Sequence, residues 1–138
     1  MKITHALLKF ALVAAVLTIA FRFSLSYGIA NQIKVVIYLS SLVYFSVMFI
    51  SGWYFGKKDK EYLPVSDLGF RFHLTTFVVF NLVTEIFYRM DLQSKVELLR
   101  DSHRTIIYWL PFLIIHFIFY LFAKRKTIKG IDKDNLFE

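Results

Sequence analysis

The sequence predicts an all-α fold: a polytopic membrane protein built as a four-transmembrane-helix bundle, with an outer amphipathic segment between helices 3 and 4. Three observations carry this reading. Residues 35–56 form a run of 22 without a charged side chain, closed by Lys57-Lys58. Residues 105–123 form another of 19, between Arg104 and Lys124. Hydrophobic residues make up 57% of the 138, above the roughly 45–50% apolar content of soluble domains. About 20 helical residues cross a hydrocarbon core of about 30 Å, so both runs are long enough. Four spans leave too little chain for a separate soluble core, which predicts a single four-helix domain over residues 1–138.

The first span is expected over about 6–27. Its uncharged core, Phe10–Phe21, is short, and Lys9 and Arg22 lie near its ends, where long basic stems snorkel to the headgroups. The competing reading is a cleaved leader ending near Thr18 and Ala20. Bulky Phe21 and Phe23 beside that point favour a retained helix. The second span covers 35–56. Pro64 turns the connection that follows, and Asp67 is a suitable N-cap for a third span over 69–88. The fourth covers 105–123, with Pro111 two turns in as a candidate kink. In the connection before it, Leu92, Val96 and Leu99 recur at i, i+4 and i+7. That spacing predicts a surface helix, or extensions of helices 3 and 4 beyond the bilayer.

Orientation follows from the basic residues. With both termini inside, eleven fall inside (Lys2, Lys9, Lys57, Lys58, Lys60, Arg71, Lys124, Arg125, Lys126, Lys129, Lys133). Six fall outside (Arg22, Lys34, Arg89, Lys95, Arg100, Arg104). The positive-inside rule then predicts cytoplasmic termini, and a bacterial cytoplasmic membrane is the expected location. The net charge of +7 is concentrated beside apolar runs. It points to anionic lipid headgroups as partners and away from nucleic acid. With no cysteine, structural disulfides, thiolate zinc sites and dithiol redox chemistry are excluded.

Ionisable groups within spans are costly, so they are the first candidates for function. On a helical wheel His73, Asn81, Thr84, Glu85 and Tyr88 share about 120° of helix 3. Glu85 is a candidate proton- or cation-exchanging carboxylate oriented by Asn81 and Tyr88. Its i, i+4 spacing to Arg89 is equally that of a structural ion pair. His116, deepest in helix 4, is a candidate relay, or a neutral histidine bonded to another helix. Lys57, Lys58, Asp67, Arg71 and His73 converge at the inner face as ligand or lipid candidates, although topology and capping also explain them. Ser40, Tyr44 and Ser51 share a face of helix 2 with Val47, and Gly52 and Gly56 make a GxxxG spacing at its inner end; both features are expected at helix contacts. The four histidines are dispersed in depth, so no metal site or cofactor is expected.

The functional expectation is a small integral membrane protein acting as a non-enzymatic oligomeric or accessory subunit of a membrane complex. Its partners would be copies of itself or a larger membrane protein. The alternative is a small channel or proton-coupled transporter using Glu85 and His116. An enzyme acting on lipid through His73, Asp67 and Arg71 ranks last, because no nucleophile or metal motif accompanies them.

Overall fold

A computed structural model describes the backbone of residues 3–60, 69–97 and 99–129, and the side chains of 3–59, 69–97 and 103–122. The chain is all-α, with helices α1 (His5–Ala30), α2 (Lys34–Lys60), α3 (Phe70–Arg89) and α4 (Leu99–Lys129). All four are long and apolar enough to cross a membrane. Asp67, Pro64 and the basic tail beyond Lys129 lie outside the described residues.

The helices do not close into a square bundle. Their principal contacts run in the order α2–α1–α3–α4, so α1 and α3 are central and α2 and α4 flank them. Burial follows this order. It is 33% and 39% of the apolar windows of α1 and α3, against 6% for α2 and 0% for α4.

The sequence of α1 explains its central place. Leu7, Phe10, Ala14, Thr18, Arg22 and Ser26 are all buried and recur every three or four residues, which is one face of a helix. The small side chains of Ala14, Thr18 and Ser26 let neighbouring backbones come close. Leu7, Phe10, Ala14, Met48 and Phe72 form the apolar centre, flanked by Leu17, Tyr44, Phe55 and Val79. Phe10 meets Phe72 edge-on, with ring centroids 5.0 Å apart.

α1 and α3 end alike. At the first, Gln32 takes a left-handed φ of 56°, and the Ile33 N–H donates back to Gly28 O at 2.9 Å. At the second, Asp91 takes φ 54°, and the Leu92 N–H donates to Phe87 O at 3.0 Å. Each left-handed residue reverses the chain and satisfies carbonyls that the helix leaves open. The first of these turns folds α2 directly back on α1, where Gly28 is needed for the close approach. A Cβ on residue 28 would lie 2.9 Å from Ile37 Cγ1 and 3.3 Å from Val36 Cγ1. Gly28→Leu is therefore expected to overpack the hairpin and lower the unfolding free energy by about 1–3 kcal/mol. An SDS titration followed by far-ultraviolet circular dichroism measures this.

Between α3 and α4 the structure departs from the expected surface helix. Met90–Glu97 is a chain of turns, Leu92 and Val96 are exposed, and α4 reaches back to Leu99. Asp91 breaks the helical path, and Glu97 is drawn inward by a charge on α1. That charge is Arg22. It does not snorkel: it is 2% exposed, and its Nη1 donates to Glu97 Oε1 at 2.6 Å.

Candidate functional site

Because α1 and α3 separate α2 from α4, a groove of about 950 Å³ opens between the two flanking helices. Tyr44, Met48, Gly52 and Lys57 contribute one wall, and Trp109, Phe112 and His116 the other. Phe10, Phe72, His73 and Thr76 form the floor. Aromatic contacts hold the α4 wall in place. Trp109 packs on Phe77 and Phe80 at 5.9 and 5.5 Å, and Phe70 lies 5.3 Å from Phe117 and 5.4 Å from Tyr120.

The groove is polar at one end only. There the His73 and His116 rings lie 4.1 Å apart between centroids. The His116 Nδ1–H donates to Phe112 O at 2.8 Å, which leaves Nε2 as its acceptor. Lys57 rests over the Trp53 ring at 5.8 Å, and Lys58 over Tyr54 at 4.6 Å. Beside them Arg71 Nη2 donates to Asp59 Oδ2, and Thr4 Oγ1 donates to Asp59 Oδ1. Arg71 and Asp59 are 4% and 3% exposed. Thr4 also caps α1, accepting from the Leu7 N–H at 3.3 Å. One buried carboxylate thus joins the start of α1, the end of α2 and the start of α3.

A second buried ion pair closes the opposite face. Besides Arg22, Glu97 accepts from Ser26 Oγ at 3.3 Å. The Phe87 and Tyr88 rings each lie 5.7 Å from the Arg22 guanidinium carbon. Arg22 Nε and Nη2, Thr84 Oγ1 and Gln93 Oε1 are the buried side-chain atoms without a hydrogen-bond partner among the described residues.

The helix 3 candidates divide between these places. His73 faces His116 at the polar end of the groove. Asn81 and Glu85 line a smaller recess with His103 and Ile106, while Tyr88 lies against Arg22. Asn81 Nδ2 donates to Phe77 O at 2.7 Å. Glu85 Oε1 accepts from Arg89 Nε at 3.2 Å, and its Oε2 is 3.9 Å from His103 Nε2. Glu85 lies twelve residues, about 18 Å, along α3 from His73. The structure therefore does not bring Glu85 and His116 together. No three His, Asp or Glu side chains converge as metal ligands among the described residues.

On α2 the hydroxyl-bearing face is mixed. Thr18 Oγ1 donates to Ala14 O at 2.7 Å, so its oxygen accepts the Tyr44 hydroxyl at 3.0 Å. Ser40 donates to Ile37 O within its own helix. Ser51 and Gly52 are half-buried, and a Cβ on residue 52 would sit 3.9 Å from Phe10. Gly56 has open space around its Cα. The residues missed from sequence are Thr4, Thr18, Arg22, Ser26 and Glu97. A signal for three of them was available: Thr18, Arg22 and Ser26 repeat at i, i+4 and i+8 on an otherwise apolar helix.

No family model, no curated protein and no solved structure matches this chain.

Proposed function

We propose that this chain is a non-enzymatic membrane subunit, a fixed scaffold that presents α2 and α4 to another membrane protein or to a second copy. The observation that carries this reading is the α1–α2–α3 core. Its middle is apolar, the buried Arg71–Asp59 pair joins α3 to α2 at one end, and the part-buried Arg22–Glu97 pair ties α1 to the α3–α4 connection at the other. Separating a buried charge from its partner is costly, so the helices that carry these groups are held to the packing that pairs them. That design suits a part that holds its shape. A transporter has to expose its coupling groups to alternating faces, and here Glu85 and His116 occupy separate recesses. Cytoplasmic termini and residence in a bacterial cytoplasmic membrane belong to the same proposal, resting on the distribution of Lys and Arg.

Mass measurement after extraction into nanodiscs tests it. The expected particle exceeds one chain, through self-association or a co-purifying membrane protein. A strict monomer with no co-purifying protein overturns the subunit reading. In proteoliposomes, wild type and Glu85→Gln are both expected to give background proton flux. Flux that wild type supports and Glu85→Gln loses would establish the transport reading in its place.

A further inference from the structure

We propose that the groove between α2 and α4 is a binding site for one anionic phospholipid, its acyl chain against Met48, Phe72 and Phe112 and its phosphate beside Lys57. The inference rests on membrane insertion of the four helices and is independent of the subunit assignment.

Length selects the occupant. Along α2 the groove runs from Asp59 to Tyr44, fifteen residues or about 22 Å. The hydrocarbon of one leaflet is half of about 30 Å, so the groove starts at headgroup depth and ends just beyond the bilayer centre. On the other wall His116 lies against His73 and Trp109 against Phe77 and Phe80, so the α4 lining accompanies α3 from near its start to about its middle. A partner's transmembrane helix would need a groove through both leaflets. A single lipid needs one leaflet, with polar groups at one end. Its size, about 950 Å³, is at the upper end of the roughly 300–1,000 Å³ of ligand pockets.

Charge selects the headgroup. Among the described residues the acid at this end is Asp59, engaged by Arg71 and Thr4, so its charge is matched by a base. Lys57 then adds a positive charge, held over Trp53 at the depth where aromatic and basic residues meet headgroups. The amino terminus of α3 opens at the same place, its partial positive charge favouring an anion. His73 and His116 also line the groove, their ring centroids 4.1 Å apart.

Gly52 provides the decisive variant. It lines the groove, and a Cβ there would make only an ordinary contact with Phe10 at 3.9 Å. Gly52→Leu therefore adds bulk to the lining of the groove from a backbone position that accepts a side chain without a close contact. The experiment is native mass spectrometry of delipidated protein titrated with phosphatidylglycerol, or with phosphatidylcholine of the same acyl chains. Wild type is expected to retain one phosphatidylglycerol per chain, at least tenfold more tightly than phosphatidylcholine. Gly52→Leu is expected to lose that retention at least tenfold with an unchanged melting temperature, and Lys57→Glu to abolish the headgroup preference. Retention unchanged in a folded Gly52→Leu overturns the groove as the site. Equal retention of the two lipids overturns the anionic assignment. Alkaline extraction of the same membranes reads insertion separately.

Discussion

Glu97→Ala is expected to destabilise the fold by about 3–5 kcal/mol, the range for removing one partner of a buried ion pair. The side chain lost is the acceptor for both Arg22 Nη1 and Ser26 Oγ. Arg22 Nε and Nη2 already have no partner among the described residues, so the guanidinium would be left to the Phe87 and Tyr88 rings. Glu97→Gln keeps an acceptor and loses the charge, which predicts a smaller cost of about 1–3 kcal/mol. Replacing the pair by apolar residues, Arg22→Met with Glu97→Leu, is expected to recover most of the loss, because the desolvation cost of both charges disappears. SDS titrations of the four proteins give these values. Should Glu97→Ala unfold like wild type, Arg22 would have to reach the headgroups on its own, as its place near the end of the first span led one to expect.

That contrast separates what the sequence makes legible from what it does not. The helices are written in composition: four apolar stretches, two of them uncharged over a full span, specify four elements whatever surrounds them. The order in which they pack is not written in the runs. It depends on which stripe of each helix is small enough to be approached closely, and on α1 that stripe is Ala14, Thr18 and Ser26. Arg22 reads equally as a snorkelling end residue and as a buried charge. Only its meeting with Glu97, 75 positions away, decides between them. The α1 and α3 ends were hidden for a local reason. Gln32 and Asp91 occupy left-handed positions where glycine is the usual marker. The wheel of α3 correctly placed Asn81, Thr84 and Glu85 near one another. It could not show that His73, four turns away from Tyr88, meets a different neighbour. The groove has no sequence signal, because it is the gap left between α2 and α4 when α1 and α3 take the centre.

Asp59→Ala is expected to cost about 3 kcal/mol, towards the lower end for a broken buried pair, and to act on three helices together. Asp59 accepts from Thr4 and from Arg71, so its loss loosens the starts of α1 and α3 and the end of α2. Thr4→Ala removes only one of these bonds and the α1 cap, and about 1 kcal/mol is expected. Arg71→Met combined with Asp59→Leu should be less damaging than Asp59→Ala alone, for the reason given for Arg22 and Glu97. The two clamps also test each other. Thr4 and Arg22 are eighteen residues apart on α1, about 27 Å, and substitutions that far apart ordinarily add to within about 0.3–0.5 kcal/mol. Glu97→Gln and Asp59→Asn together should therefore cost the sum of their separate effects in the same SDS titration. A larger or smaller total would mean that the apolar middle of α1 transmits strain from one end of the helix to the other. The scaffold would then be a coupling element rather than a fixed frame.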